Sequence, residues 1–305
     1  MSSILEDIKR EFSKSDNAVI KLILLNVIVF VAMVVFYVVF TFGQYPAFYE
    51  WIVQQLRLPA QFSAFLYKPW TLITNFFVHQ GPFHIFFNML SLYWFGRVLE
   101  EYIGSRRLVS IFILGGLAGG LAFLLLYNTL PYFQNHLDTG LIGASGAVFA
   151  IILAAATLLP DYTFSLLLIG PVRLKYIAAF CIILSMAQLV GPNAGGNVAH
   201  LAGALLGFGF IKSLRAGYDW GKPIYALSTF FQRLFTKHST VRVPQRTRAA
   251  TTTQTRRFER TPDHSTTTSI PNQDEIDAIL DKISKSGYES LTRDEKQKLY
   301  QASQQ

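Results

Sequence analysis

Cysteine and charge are both scarce in this sequence. The single cysteine, Cys181, lies inside an apolar run, which excludes an internal disulfide and a cysteine-based metal cluster. Only 15% of the residues are charged, whereas about a quarter are charged in an ordinary soluble domain. The first eighteen residues mix acids and bases, and the apolar run that follows is too long for the hydrophobic region of a cleavable signal. We therefore expect that run to stay as a membrane anchor.

Apolar residues are abundant instead, and they are unevenly distributed. They make up 51% of the chain, and nearly all of the long apolar runs lie before residue 217. Because about 20 apolar residues are enough for a helix to cross a bilayer, the sequence predicts an all-α polytopic membrane protein with six spans. The spans are expected at about 19–42, 82–100, 108–127, 143–159, 176–190 and 198–214. Residues 163–175 contain Gly170-Pro171 and two basic residues, and we expect an interfacial segment there.

The predicted organisation has four parts. Residues 1–18 form an N-terminal arm, 19–215 the six-span membrane domain, 216–271 a basic, threonine-rich linker and 272–305 a small helical hairpin. Asn272 with Glu275, and Thr292 with Glu295, have the spacing of capping boxes that begin two short helices. A hairpin of this size needs a binding partner or a membrane surface for stability. We expect an unidentified cytoplasmic partner.

Basic residues predict the orientation of the spans. They cluster at one set of span ends and are sparse at the opposite set, where only Arg57 and Lys68 occur. By the positive-inside rule both termini are expected to be cytoplasmic. Residues 212–260 carry eleven Lys or Arg and two acids directly after the last span. This pattern indicates contact with anionic lipid of the bilayer rather than with nucleic acid, because the stretch lacks a recognisable fold and is rich in threonine.

Four polar residues in the predicted spans form a candidate site. His84 and Asn88 are four residues apart and share one helix face, while Ser145 and His200 lie near the same ends of their own spans. All four are therefore expected at one depth below the outer surface. Polar groups inside a membrane are costly and are usually functional. The alternative is that they only link helices to one another.

The chemistry of these residue types suggests a hydrolytic site. A serine hydroxyl needs a base to act as a nucleophile, and a neutral imidazole is a suitable one near neutral pH. Ser145 and His200 could form such a pair, with Asn88, His84 and the Ser145 backbone N–H as donors to an oxyanion. No acidic residue is placed to orient His200, so the sequence predicts a dyad. No metal or organic cofactor is implied.

Three motifs carry a resemblance to a known family. Residues 143–146 read G-A-S-G, residues 199–203 read A-H-L-A-G, and residues 79–88 read H-x4-H-x3-N; Gly96, Glu100 and Gly104 continue the last pattern. The sequence resembles the rhomboid intramembrane serine proteases over about residues 19–214. The resemblance implies a six-helix bundle whose polar cavity opens to the extracytoplasmic side. It also implies Ser145 and His200 as the catalytic pair, Asn88 and His84 at the oxyanion, and His79 as a supporting residue.

The sequence departs from the family pattern at two positions. Many members carry a Trp-Arg pair in the first loop, whereas Trp51 is followed here by Ile52. Members often place a tyrosine one turn after the serine, whereas this chain has Phe149. A phenyl ring can stack on the histidine but cannot donate a hydrogen bond. Neither change removes a reacting group, although the anchoring of the first loop is expected to differ.

The resemblance implies an endopeptidase of the bilayer. Its substrates would be single-span membrane proteins cut in or near the membrane segment, and six spans without a targeting peptide suggest a bacterial cytoplasmic membrane. One alternative is a non-catalytic relative that binds membrane segments, although such a protein has no reason to keep both Ser145 and His200. Another is a channel or transporter, which would spread ionisable residues along a pathway rather than at one depth.

Overall fold

The computed structural model describes most of the chain in two compact units, divided at residue 239. The described residues are 6, 17–166, 170–235, 273–286, 290–292, 294–295 and 298–299. Most of the N-terminal arm, most of the linker and the Asn272 end of the first capping box fall outside this set. The two units are described separately below.

Each apolar run that we expected to be a span is a helix in the first unit. The six helices are α1 (Ala18–Phe42), α5 (Pro82–Ile103), α6 (Ser105–Thr129), α8 (Ser145–Leu158), α9 (Leu174–Ala187) and α10 (Ala194–Arg215). Helices α1, α6 and α10 are long and apolar enough to cross a membrane, and α8 and α9 are shorter apolar helices. The protein is thus an integral membrane protein with a predominantly helical fold.

The expected turn before the last helix is shorter than the sequence suggested. Residues 191–197 were predicted to be a flexible turn, but α10 already begins at Ala194. The Asn197 side chain donates hydrogen bonds to the carbonyls of Gln188 and Asn193 at 3.0 and 2.9 Å. These bonds let the two glycines at 195 and 196 join the helix, so His200 lies about two turns inside it.

Close helix contact in the centre of the first unit depends on glycine. A Cβ atom added at Gly203 would collide with the Gly146 carbonyl oxygen, and one at Gly207 with the Ala150 carbonyl oxygen. A Cβ at Gly119 would lie 3.0 Å from the Ala199 carbonyl oxygen. The backbones of α6, α8 and α10 therefore approach each other through small residues, as is common between membrane helices.

The segment between α1 and α5 is made of short helices. These are α2 (Pro46–Leu56), α3 (Phe62–Tyr67), α4 (Thr71–Thr74) and a 3-10 turn (Asn75–Phe77). The last carbonyls of α2 accept side-chain hydrogen bonds from three later residues: Lys68 to Gln54, Trp70 to Gln55 and Thr74 to Leu56, at 3.2, 2.8 and 2.9 Å. A helix C-terminus leaves its last carbonyls without helical partners. These donors hold the first loop, which lacks the Trp-Arg pair.

The fold also contains two small strand pairs, so it is not purely helical. Strand β1 (Leu58–Pro59) pairs antiparallel with β2 (Gly140–Leu141), and β3 (Thr163–Leu166) pairs antiparallel with β4 (Gly170–Arg173). The second pair lies where we predicted an interfacial segment, and its backbone is extended rather than helical. A remaining short helix, α7 (Pro131–Gln134), follows α6.

Glu100 joins three helices at the end of the first unit away from Ser145. It is 8% exposed, and its Oε1 accepts hydrogen bonds from the Ala18 N–H and the Ser105 hydroxyl, both at 2.6 Å. Arg97 lies one turn earlier, with a guanidinium nitrogen 3.6 Å from Oε2. The first N–H groups of a helix have no partner within that helix. Glu100 supplies a hydrogen-bond acceptor for such an N–H at the start of α1, and it also binds the first residue of α6.

A further helix, α11 (Lys222–Phe235), follows α10 inside the segment that we expected to be a linker. Asp219 fixes its start, since it accepts hydrogen bonds from Arg107 at 3.0 Å, from the Gly221 N–H at 2.8 Å and from the Tyr225 hydroxyl at 3.3 Å. Arg107 belongs to the first turn of α6. The chain beyond α10 is thereby tied back to the membrane-embedded unit.

The second unit contains helix α12 (Gln273–Ser286), and residues 294–295 and 298–299 after it are also helical. The predicted capping box at Thr292 and Glu295 is formed. The Thr292 N–H donates to Glu295 at 2.7 Å, and the Glu295 N–H donates to the Thr292 hydroxyl at 3.3 Å. Lys282 and Lys298 add ion pairs to Glu295 and Glu275 at 2.9 Å each. These bonds connect the two helical stretches of the unit to each other.

Candidate active site

Ser145 is the first residue of α8, and the turn before it is held from one side. Gly143 has a φ of +123°, a conformation that favours glycine. Its N–H donates to the Asn75 carbonyl at 2.9 Å, and the Ala144 N–H points at Nε2 of His79 at 3.5 Å. The residues just before this turn form β2, which pairs with β1. Ser145 therefore lies at a fixed helix N-terminus, where backbone N–H groups are free to bind an anion.

His79 supports the serine turn, which extends the role that we expected for it. Its ring lies edge to face with that of His84 at a centroid distance of 5.1 Å, and it is 5% exposed. Because Nε2 faces the N–H of Ala144, the ring buttresses the residue that precedes the candidate nucleophile.

His84 and Asn88 lie in the first two turns of α5 on one face, as their spacing predicts. The Asn88 amide donates to the His84 carbonyl at 2.9 Å, which leaves its second N–H available to another acceptor. The His84 ring fills the space beside Gly143, where an added Cβ would lie 2.6 Å from Cε1. Both side chains thus lie beside the serine turn.

His200 is fixed on two sides. The Phe149 ring stacks on the imidazole with a centroid distance of 4.1 Å and an interplanar angle of 7°, as the sequence analysis anticipated. The Ser185 hydroxyl lies 3.1 Å from Nδ1. Ser185 is not among the residues predicted for the site, although it is the one serine in the otherwise apolar run of α9. With Nδ1 in contact with Ser185, Nε2 is the second nitrogen of the ring.

The helices that carry Ser145 and His200 touch at the neighbouring residues. A Cβ added at Gly146 would lie 3.2 Å from the Ala199 carbonyl oxygen. One cavity of about 640 Å³ is lined by His84, Asn88, Ser145 and His200 together. The four residues that the sequence singled out are therefore brought into a single cavity.

The rest of the cavity wall is mixed in character. Apolar surface comes from Phe83, Phe87, Phe123, Phe149 and Ile152. Polar groups come from Gln80, Ser91, Tyr127, Thr139 and Asn193. Cys181 of α9 also borders it. Within the described ranges, no three His, Cys, Asp or Glu side chains are grouped as metal ligands. The arrangement offers a hydroxyl, an imidazole and amide donors in a partly apolar chamber.

The described residues thus define a polytopic helical membrane protein that has a serine and a histidine in one cavity. Comparison with known families identifies the one to which it belongs. Residues 67–216 match the Rhomboid domain, and residues 270–305 match a family of unknown function (DUF6576). The chain belongs to the rhomboid family.

Curated relatives agree with this assignment. The chain is 31% identical over 169 residues to "Rhomboid-like protein 14, mitochondrial" of Arabidopsis thaliana. This match covers 54% of this chain and 49% of the relative. It is 29% identical over 168 residues to "Rhomboid-like protein 16, chloroplastic" of the same plant, covering 51% and 52%. It is 30% identical over 143 residues to "Putative rhomboid protease YdcA" of Bacillus subtilis, covering 46% and 64%. The matches thus span about half the length of most of these relatives.

Proposed function

We propose that this protein is an intramembrane serine endopeptidase that cuts other membrane proteins in or near their spans. Ser145 is the nucleophile, His200 the general base and acid, and Asn88 and His84 stabilise the oxyanion. The observation that carries the proposal is that these four side chains line one cavity, with the serine at a helix N-terminus. Membership of the rhomboid family supports the same reaction class.

The proposed reaction gives each of these groups one role. Ser145 Oγ attacks the carbonyl carbon of the scissile bond while its proton passes to Nε2 of His200. The resulting oxyanion accepts hydrogen bonds from the Asn88 amide, the His84 ring and the Ser145 N–H. The C–N bond then breaks as Nε2 returns the proton to the leaving amine. Water, activated by His200 in the same way, hydrolyses the acyl-enzyme and releases Ser145.

The membrane setting constrains the substrate. A helix of a single-span protein hides its carbonyl groups in hydrogen bonds, so it must unwind locally before the serine can reach one. We propose six spans, both termini in the cytoplasm and a cavity open to the extracytoplasmic side of a bacterial cytoplasmic membrane. The charge bias that motivates this orientation includes Arg106 and Arg107 at one end and Arg57 at the other.

The second candidate is a rhomboid-like protein that binds membrane segments without cutting them. Two relatives are named only as rhomboid-like proteins, and such a name is compatible with a binding function. The contacts around His200 favour catalysis, because an idle imidazole would not need one ring face stacked and one ring nitrogen hydrogen-bonded. The stacked Phe149 and the Ser185 hydroxyl restrict the ring to one orientation.

The decisive experiment uses detergent-purified protein and a single-span reporter. Wild type is expected to cut, and Ser145→Ala and His200→Ala are expected to lose at least about 10³-fold in rate, as in other serine hydrolases that lose one member of the catalytic unit. Ser91→Ala is the matched control, because it removes another hydroxyl from the same cavity wall. It is expected to keep nearly full activity.

A substrate-independent measurement complements cleavage. A fluorophosphonate probe is expected to label wild type on Ser145, as located by mass spectrometry, and to leave Ser145→Ala unlabelled. Cleavage that survives Ser145→Ala would overturn the assignment of the nucleophile. Wild-type protein that binds reporters stably, without cleavage or labelling, would establish the binding function instead.

A further inference from the structure

Helix α9 buries very little of its surface, and one of its few buried residues is polar. Its large side chains are mostly exposed, including Phe180, Ile183 and Met186. The buried residues on α9 are Leu174, Ala178 and Ser185, and Ser185 is only 3% exposed. A hydroxyl turned from the lipid side into a helix bundle needs a hydrogen-bond partner. Its partner is Nδ1 of His200, 3.1 Å away.

This partner differs from that of three other hydroxyls in the described membrane helices. Ser110, Thr129 and Thr157 each donate to the carbonyl four residues earlier, at 3.0, 2.7 and 2.6 Å. That local bond is the common way for a serine or threonine to satisfy itself within a membrane helix. Ser185 instead reaches across to the side chain of another helix, and the side chain that it reaches is the candidate base.

The two possible directions of this hydrogen bond have different chemical consequences. If Nδ1 carries the proton, it donates to Ser185 Oγ, and Nε2 presents a lone pair that can accept the proton of Ser145. If Ser185 donates to Nδ1 instead, Nε2 carries the proton and cannot act as a base. In the imidazolium that forms during attack, both nitrogens are donors, so Ser185 Oγ again accepts. The first direction is thus the one that serves every step of the reaction.

We propose that Ser185 is a positioning residue for His200: its oxygen accepts the Nδ1 hydrogen, selects the tautomer with a free Nε2 and stabilises the imidazolium. This rests on the function proposed above. It assigns to a neutral hydroxyl on α9 the place that a carboxylate holds in a Ser-His-Asp triad. The expected pair of Ser145 and His200 then has a third member, Ser185, which comes from a separate helix.

The first test separates positioning from packing. Ser185→Ala is expected to lower kcat by about 10- to 100-fold, the range spanned by a hydrogen bond to a charged group, with KM nearly unchanged. Ser185→Thr, which keeps the hydroxyl, is expected to recover most of kcat. Ala178→Gly is the matched control, because Ala178 is buried on the same helix away from His200. It is expected to lower the melting temperature while leaving kcat within about twofold.

A second readout does not depend on cleavage. The ¹⁵N NMR signals of His200, assigned by their loss in His200→Ala, distinguish protonation at Nδ1 from protonation at Nε2. Wild type is expected to show the Nδ1-protonated tautomer, and Ser185→Ala a mixture of the two. Should Ser185→Ala fail to fold, Ser185→Cys replaces it with the same expectations, since a thiol is a weak acceptor.

The outcomes are separable. Ser185→Ala with kcat within about twofold of wild type, or with an unchanged tautomer, would overturn the proposal. A loss of kcat that Ser185→Thr does not restore and that Ala178→Gly reproduces would show that Ser185 only packs. If wild type cuts nothing, the proposed protease function fails, and the ¹⁵N spectrum alone decides whether Ser185 sets the tautomer.

Discussion

Phe149 illustrates how a single side chain shapes the candidate base. Its ring covers one face of the His200 imidazole at 4.1 Å and is nearly parallel to it. An aromatic ring in this position supplies stacking energy and excludes other orientations of the histidine. The hydroxyl that a tyrosine would add is absent, yet the stacking geometry is complete. The ring face, rather than a polar group, is therefore what this position contributes.

Replacing the aromatic ring should weaken catalysis without abolishing it. Phe149→Leu is expected to lower kcat by up to about tenfold, since stacked aromatic pairs contribute about 0.5–1.5 kcal/mol beyond burial. Phe149→Tyr keeps the ring and is expected to stay within about threefold of wild type. Steady-state cleavage of the single-span reporter measures both. Equal activity in Phe149→Leu and wild type would show that stacking has no role.

The sequence found the site residues that stand out chemically. His84, Asn88 and His200 are conspicuous in apolar runs, because a polar side chain in a membrane helix is costly. Ser185 was missed for a physical reason: a helical serine usually satisfies itself locally, so one serine in an apolar run does not by itself indicate a partner 15 residues away. The contact of His79 with the serine turn depends on how the loop folds, and spacing alone does not reveal it.

At the scale of elements, Glu100 determines how the starts of α1 and α6 are held. One carboxylate oxygen binds a backbone N–H of α1 and a hydroxyl of α6, while the residue itself belongs to α5. Removing it leaves the buried Ala18 N–H and the partly buried Ser105 hydroxyl without their acceptor. Each such donor costs about 1–3 kcal/mol when it is left unsatisfied.

The corresponding prediction concerns stability. Glu100→Ala is expected to destabilise the folded protein by about 2–5 kcal/mol in total, seen as a lower melting temperature in detergent. Glu101→Ala is the control, because Glu101 is the next residue on α5 and is exposed. It is expected to leave the melting temperature unchanged. Similar melting temperatures for the two variants would contradict the role of Glu100 as a joint.

The link between Asp219 and α6 should depend on pH. Burial raises the pKa of the Asp219 carboxyl, but hydrogen bonds from Arg107, the Gly221 N–H and Tyr225 outweigh it, and the pKa lies below its usual 3.8. A lowered pKa means that the folded state prefers the charged carboxylate. The contribution to stability is therefore complete above about pH 4 and is lost as the pH falls further.

Trp220 reports on this link, since its indole packs against Phe210 at a centroid distance of 6.3 Å. The contribution of Trp220 to the fluorescence is the difference between wild type and Trp220→Phe. It is expected to change below about pH 4 as the start of α11 detaches. Asp219→Asn has no carboxyl to titrate and is expected to show no such transition. A transition of the same midpoint in Asp219→Asn would assign it to another group.

Hydropathy located the long helices because each exposes apolar surface to lipid and satisfies its own backbone. It did not reveal the β1–β2 and β3–β4 pairs, since two- and four-residue strands exist only through their tertiary partners. Helix α11 was missed because its basic and threonine-rich surroundings have the composition of a linker. Its apolar residues recur at helical spacing, and a window limited to residues 222–235 would have indicated an amphipathic helix.

At the scale of the whole molecule, the cavity and the tail, which is residues 240–305, belong to different units. Every residue that lines the cavity lies between positions 80 and 200, within the unit that ends at residue 239. A chain that stops after residue 239 is therefore expected to cut the reporter at a rate within about twofold of the full-length protein. The Ser145→Ala form of the same truncation supplies the background. A large loss of activity would show that the tail contributes to catalysis.

Cys181 is a natural site for attaching a thiol-reactive label. It is the one cysteine in the sequence, and it borders the cavity from α9, one turn before Ser185. A small water-soluble maleimide would therefore mark this position alone, without any engineered residue. Its reaction rate in detergent and in lipid vesicles would measure how far water enters the chamber. Protection from the reagent by an added membrane segment would report occupancy in real time, even for a segment that is never cut.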